Sequence, residues 1–179
     1  MLGVSYWCLN EMQAGALKSI VTGLIVHDLG AGDLSLAEHL IDFGALHVVA
    51  IDKEPLPRMH SSRITYSRGY FEQYYDPIDV AVVSWPPTYC IGLPSLVKRA
   101  RVVVYIGKNT DGTACGSSEL FGHLLTRELS VYLPDRHNTL ICYGNPTSEI
   151  RKPQGEELAA ISCCRAAPVL HFEEVEGCL

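Results

Sequence analysis

Asp28, Gly30, Gly32 and Asp33, followed twenty residues after Gly32 by Asp52, are the residues whose types and spacing suit chemistry. Glycines lack a Cβ, so a ligand can approach their backbone closely. The N–H groups that open a following helix are unpaired and face the same space. A carboxylate at the tip of the next strand can accept both hydroxyl hydrogens of a ribose. The spacing therefore predicts a nucleotide site with glycines in its first βα turn. A dinucleotide fingerprint would carry glycine or alanine at position 35, so that a phosphate could reach the helix N-terminus. Ser35 stands there instead, and acidic Asp33 lies in the phosphate's path. Asp28, two residues before Gly30, argues further against a pyrophosphate and suits a ligand with a positive charge or an ammonium group.

A second constellation is Ser84-Trp85-Pro86-Pro87-Thr88-Tyr89, directly after an apolar run. Proline cannot continue a central strand, so the chain must turn out there. That is the edge where open α/β sheets bind ligands. A proline-ended strand loop with a tryptophan plug is the structural alternative. Near the preceding strand, Gly69, Tyr70 and Glu72 are further candidates, whereas Tyr70, Phe71, Tyr74 and Tyr75 read better as the packing of a helical turn.

The elements that must position these residues follow from periodicity. Leu24-Ile25-Val26, ending on His27-Asp28, reads as a buried strand. Leu34, Ala37, Leu40 and Ile41 lie on one face of a helix, with Ser35 and Glu38 at capping-box spacing and Gly44 as its C′ residue. Leu46 to Ile51 is a second strand, ending on Asp52. Further strands are expected at Arg63 to Tyr66, Ile78 to Val83 and Arg101 to Ile106, and helices at Leu93 to Ala100 and Leu120 to Glu128. A long polar loop, GKNTDGTACGSSEL, follows the fifth strand. Leu129 to Leu133 and Thr139 to Tyr143 are joined by only PDRHN, which permits an antiparallel hairpin and no parallel crossover. Before the first strand, Asn10 is placed to cap a helix, with Gln13 three residues later and Met12, Ala16 and Ile20 along one stripe. Tyr6 and Trp7 read as aromatics that anchor this helix to the core. A last helix is expected over Glu156 to Cys164, before an acidic tail.

The run Asp28-Leu29-Gly30-Ala31-Gly32 resembles motif I of the class I S-adenosylmethionine-dependent methyltransferases, D-x-G-x-G, with Asp52 as the ribose-binding acid that follows. Leu34 stands where a third glycine is common in that family. The proline turn is similar to the (Asp/Asn/Ser)-Pro-Pro-(Tyr/Phe/Trp) motif of amine-directed members. It differs in that Trp85 separates Ser84 from the prolines and Tyr89 falls one residue late. The resemblance spans about residues 20–145. It implies a Rossmann-like, doubly wound α/β sheet of seven strands, mostly parallel, with a C-terminal antiparallel hairpin. It also implies S-adenosylmethionine as cofactor, held by Asp28, Gly30, Gly32, Asp33, Asp52, Lys53, Gly69 and Ser84, with the N-terminal segment packed over it and Tyr6 and Trp7 as part of a lid, the alternative to their anchoring role. Ser84, Trp85, Pro86 and Pro87 would then orient a nitrogen acceptor, which could be a small molecule, a nucleobase or a protein. An NAD-dependent oxidoreductase is the main alternative enzyme, although such a domain normally continues with βαβ units rather than a hairpin. A non-catalytic module that binds S-adenosylmethionine is the alternative outside enzymes.

Composition narrows the setting. The chain of 179 residues is expected to be one domain: an N-terminal segment 1–22, a core 23–145 and an extension 146–179. No apolar run approaches the roughly 18 residues of a membrane span, and the N-terminus lacks the pattern of a signal peptide. Seven cysteines, odd in number and without CxxC spacing, argue against zinc and against a disulfide framework, so a reducing cytoplasm is expected. The net charge of −6 argues against generic nucleic-acid binding. With little sequence beyond the core, the acceptor is expected to be small, presented by a partner, or held by a homo-oligomer.

Overall fold

The computed structural model describes residues 8–54, 61–108 and 115–146. Tyr6, Trp7, the 156–164 helix, the acidic tail and residues 109–114 of the glycine-rich loop after the fifth strand lie outside the described residues. A seven-stranded sheet organises the rest, in the order β3-β2-β1-β4-β5-β7-β6. Its strands are β1 (Ile25–Leu29), β2 (His47–Asp52), β3 (Ile64–Arg68), β4 (Val80–Ser84), β5 (Val102–Gly107), β6 (Leu129–Pro134) and β7 (Thr139–Tyr143). The first five are mutually parallel, and β7 inserts antiparallel between β5 and β6. The short PDRHN connection dictates that ending, because two strands so joined can only run in opposite directions.

Among the described residues four α-helices complete the two layers: α1 (Glu11–Val21), α2 (Ser35–Asp42), α3 (Leu93–Arg99) and α4 (Ser118–Leu124). Side chains alternate across the strands, so each face builds its own core. Val26, Val48, Ala50, Val80 and Val82 pack with α1 and α2, while Leu29, Ile51, Ala81 and Val83 pack with α3 and α4. The central strands are buried on both faces, which is why they read as continuous apolar runs.

Local sequence explains the helix ends. Asn10 caps α1, and its side chain accepts from the Gln13 N–H while Gln13 returns a bond to the Asn10 N–H. At the end of α2, the Ala45 N–H donates to Leu40 and the Gly44 N–H to Ile41, with Gly44 in the left-handed conformation at φ 96. This is the Schellman arrangement expected of a C′ glycine.

Three expectations need correction. The inward stripe of α1 is Gln13, Leu17, Ile20 and Val21, not Met12, Ala16 and Ile20, and Met12 is exposed. Gln13 turns inward because its amide donates to the carbonyls of Leu133 and Asn138. The Ser35–Glu38 capping box does not form. Helix α2 starts one residue earlier than that box requires, with Leu34 at the N-cap and the Asp33 carboxylate accepting the Ser35 N–H at 3.0 Å. Finally, α4 stops at Leu124 rather than Glu128.

Leu34 has φ 67, a left-handed conformation that costs a non-glycine residue about 1–2 kcal/mol. Yet its side chain is 1% exposed and belongs to the core beneath α2. Glycine there would relieve the strain but forfeit the packing, and truncating a buried leucine costs about 2–5 kcal/mol. Packing wins, so Leu34→Gly is expected to destabilise the protein by about 1–4 kcal/mol. Urea denaturation measures this, and a more stable variant would contradict it.

Candidate functional site

A cavity of about 680 Å³ opens at the carboxyl ends of the central strands, within the range of small-molecule sites. Its position is a consequence of strand order. The chain winds outward from β1 to β3, then returns to β4 on the other side, and the crevice between β1 and β4 is the topological switch point of the sheet. Gly30 follows β1, Asp52 and Lys53 end β2, Gly69 follows β3, and Ser84 to Pro87 leave β4, and all of these residues line the cavity. Four chain segments far apart in sequence thus contribute, and the two constellations singled out from sequence share one space.

The remaining predicted residues sit around the cavity rather than in its wall. Gly30 and Gly32 both have positive φ, 85 and 53, and a Cβ on either would meet no protein atom within 4 Å. The turn is therefore shaped around open space. Asp52 fastens it: one carboxylate oxygen accepts the Gly32 N–H at 2.9 Å and the other accepts the Glu54 N–H at 3.0 Å. A carboxylate offers about four lone-pair sites, so Asp52 retains acceptor capacity toward the cavity. Asp33 is exposed and spends one oxygen on the start of α2.

Asp28 is different. It is 1% exposed, and neither carboxylate oxygen has a hydrogen-bond partner among the described residues. Burial above all, then the charges of Asp52 and Asp33, raises its pKa from 3.8 to about 7. A buried acid without a donor is costly to ionise, and it is stabilised by a cation or an N–H donor brought to it. On the opposite face of the same strand, His27 Nε2 lies 2.7 Å from the Tyr74 hydroxyl. Burial, then His47, lowers the His27 pKa to about 4, so the imidazole is neutral. The contact ties β1 to the segment that carries the 3-10 turn Phe71–Gln73.

From sequence, Tyr70 and Glu72 of that segment stand as candidates, whereas Tyr70, Phe71, Tyr74 and Tyr75 read better as packing. Tyr70, Phe71, Glu72 and Gln73 in fact line the cavity, while Tyr74 packs edge-on against His27 and Tyr75 is exposed. Sequence offered one signal that could have found them, the position directly after a strand at the ligand-binding edge.

The proline turn is held at three points. The Trp85 N–H donates to Ile106 at 2.7 Å, the Trp85 indole Nε1 donates to Asn138 Oδ1 at 2.6 Å, and the Gly116 N–H donates to the Pro86 carbonyl at 2.6 Å. Trp85 has φ 45, and with Leu34 it is one of two left-handed non-glycine residues among the described residues. Backbone held in that region costs of order 1–3 kcal/mol and persists only where its surroundings over-determine it. The Pro86 carbonyl therefore already has a donor, which leaves it one lone pair. The Ser84 hydroxyl has no hydrogen bond among the described residues. Tyr89 lines the cavity mouth but is 94% exposed, so Trp85 rather than Tyr89 supplies the ordered aromatic face. Cys90 also lines the cavity, and burial followed by Glu72 pushes its thiol pKa up, away from a reactive thiolate.

Solved structures of similar architecture include methyltransferases. The chain aligns with an S-adenosylmethionine-dependent methyltransferase from Mesorhizobium loti at a TM-score of 0.54 and 13% identity, covering 72% of this chain and 95% of that one. A SAM-dependent methyltransferase from Aquifex aeolicus gives 0.54 and 13%, covering 73% and 88%. The N-methyltransferase NodS from Bradyrhizobium japonicum gives 0.53 and 12%, covering 75% and 95%. No protein-family model matches the sequence, and no curated protein does. The chain has the class I methyltransferase fold, seven strands with the antiparallel ending. No helix among the described residues is long and apolar enough to cross a membrane.

The two neighbours on β1 give opposite pH dependences. Asp28 binds its proton more tightly folded than unfolded, so it contributes stability that is lost as pH rises from 3.8 to about 7. His27 binds its proton less tightly folded, so it contributes stability that is lost as pH falls from 6.5 to about 4. His47, also lowered, adds to the His27 sense. The windows overlap and the slopes largely cancel. Asp28→Asn is therefore expected to lose stability steeply on acidification, and His27→Gln to lose stability more steeply than wild type as pH rises toward 7. Denaturation curves at a series of pH values check this, and parallel profiles for all three proteins would contradict it.

Proposed function

We propose that the chain is an S-adenosylmethionine-dependent methyltransferase that transfers the methyl group to a nitrogen of a small or partner-presented acceptor. The observation that carries this reading is the partnerless buried carboxylate of Asp28 beneath a glycine turn that surrounds open space. A cationic ligand with an ammonium group fits that chemistry, and a pyrophosphate does not. Asp33 and Asp52 add to the negative field on Asp28, which favours a positive ligand further. The remaining acceptor capacity of Asp52 suits two ribose hydroxyls. Gly30, Lys53, Gly69 and Ser84 border the same cavity, and Gly32 keeps the turn in register through its bond to Asp52.

When bound, S-adenosylmethionine supplies a methyl group on a positively charged sulfur. What the chain contributes is mainly alignment, since bringing acceptor and donor into a near-attack pair accounts for much of the barrier lowering in such reactions. The Ser84 hydroxyl accepts an N–H of the incoming amine and points its lone pair across the cavity. Trp85 gives a flat face for a planar or cationic group. Pro86 and Pro87 hold the backbone at fixed φ so that the geometry survives the loss of strand pairing. A nitrogen target is favoured by this set of acceptors beside an aromatic face, and one structural neighbour, NodS, is an N-methyltransferase by name.

Two variants separate donor binding from acceptor alignment. Asp52→Ala removes hydrogen bonds to a charged group, each about 1.5–3 kcal/mol, and is expected to weaken S-adenosylhomocysteine binding in calorimetry by roughly 10- to 100-fold. Pro86→Ala is expected to leave that affinity nearly unchanged and to slow transfer on the order of 100-fold, the cost of a misaligned near-attack pair. The assay follows labelled S-adenosylmethionine onto nucleobase, amino-acid and protein acceptors. Label found only on oxygen or carbon would overturn the nitrogen reading, and absence of S-adenosylhomocysteine binding would overturn the methyltransferase reading itself.

A further inference from the structure

A buried polar corner lies behind the proline turn, where the start of α1 meets the turn between β6 and β7. Asn138 is 2% exposed and Gln13 is fully buried. The Asn138 side chain accepts the Trp85 indole N–H at 2.6 Å through Oδ1 and donates to the Cys8 carbonyl at 2.6 Å through Nδ2. Its main-chain carbonyl accepts Gln13 Nε2 at 3.0 Å and the Asp135 N–H at 2.8 Å. Gln13 spends its whole amide there, donating also to Leu133 at 2.9 Å and accepting the Asn10 N–H at 3.2 Å. The Asn138 amide has one workable orientation. Reversed, it would set its NH2 against the indole N–H and its oxygen against a carbonyl.

We propose that Asn138 is a positioning residue that clamps Trp85, and that through this clamp the α1–β6–β7 corner sets the aromatic wall against which the methyl acceptor is aligned. What the wall is for rests on the methyltransferase reading above; the clamp itself does not. The argument is one of constraint. Trp85, in left-handed backbone just beyond the last ladder position of β4, is half-buried against the apolar cluster of α3 and α4, and apolar packing fixes a ring's orientation less sharply than a directed hydrogen bond does. Its backbone N–H is fixed to Ile106, but that bond leaves χ1 and χ2 free. The indole N–H is the ring's polar handle, and a buried handle is worth bonding. Asn138 takes it with an oxygen that is itself immobilised, because the other end of the amide is tied to Cys8 and the backbone is tied to Gln13. Solvent cannot easily substitute for an acceptor in so closed a corner. A purely structural asparagine would close the hairpin turn and need no bond to a cavity-lining side chain.

The test uses the full chain, isotopically labelled, and follows the two tryptophan indole N–H signals, with Trp85→Phe assigning that of Trp85. S-adenosylhomocysteine is the probe, and calorimetry gives its affinity. In wild type the Trp85 indole proton is expected to exchange with solvent roughly ten-fold more slowly than in Asn138→Leu, the factor a net hydrogen bond of ordinary strength gives. Asn138→Asp, with its carboxyl protonated in so buried a corner, is expected to keep the protection, the carbonyl oxygen accepting the indole N–H and the hydroxyl donating to the Cys8 carbonyl. The probe is expected to shift the Trp85 signal in wild type and Asn138→Asp and to lose that effect in Asn138→Leu, with affinity nearly unchanged throughout. Equal exchange in wild type and Asn138→Leu would overturn the clamp, and so would a probe-induced shift that persists in Asn138→Leu. Should Asn138→Leu fail to fold, Trp85→Phe tests the pair from the other side: the Asn138 side-chain amide signals must then lose protection, and unchanged protection overturns the proposal. A wild-type protein that does not bind the probe defeats the methyltransferase reading, while the exchange comparison still decides the clamp.

Discussion

A carboxylate buried without a partner is the constraint around which the site is arranged. Asp28 sits on the central strand of the doubly wound half, and its neighbours Asp33 and Asp52 carry charge of the same sign. Those two have found backbone donors: Asp33 takes the first N–H of α2, and Asp52 takes the amides of Gly32 and Glu54. Asp28 has none among the described residues. A fold that only needed a tight βα turn would gain from an apolar residue at this position, since the strand around it is apolar on the same face. Retaining an acid there costs stability whenever it ionises, and a bound cation removes that cost. Affinity and instability of the empty site are two sides of the same charge.

The second constraint is backbone strain, and it is distributed in a telling way. Leu34 and Trp85 hold the left-handed conformation at the two ends of the cavity's supporting structure, one where α2 begins and one where β4 ends. Leu34 is held by burial of its side chain under α2. Trp85 is held by hydrogen bonds from β5, from the Asn138 corner and, one residue on, by the Gly116 bond to Pro86. In both cases remote packing over-determines a conformation that the local sequence does not favour. The glycine-turn side of the cavity is thus braced by apolar packing, and the proline-turn side by polar contacts.

What was legible in the sequence divides along the same line. Strands β1, β2, β4 and β5, the hairpin, the Asn10 cap and the Gly44 terminus are written in residues close together along the chain, and each was found within a few residues. So were the glycine turn and Asp52, because a βαβ unit brings its two strand ends together by construction. The misses come from contacts between distant segments. Gln13 looks like a surface residue until Leu133 and Asn138 are brought beside it, which is why the α1 stripe was read one face away. The α2 start was misjudged because nothing local announces a leucine in left-handed backbone. Phe71 carries the signature of a packing aromatic, and only the position of β3 in the sheet turns it toward the cavity. Asn138 carries no motif at all, and its meaning lies in the indole it meets.

Proton linkage on binding tests the central claim most directly. If a cationic ligand completes the Asp28 site, it must stabilise the ionised carboxylate and displace the proton that the empty site holds. Calorimetric titration of S-adenosylhomocysteine at about pH 6, in buffers of different ionisation enthalpy, counts those protons. The expected result is release of close to one proton per ligand in wild type, falling toward zero by about pH 8 and absent in Asp28→Asn. Binding without proton release at the lower pH, or the same release in Asp28→Asn, would contradict the account.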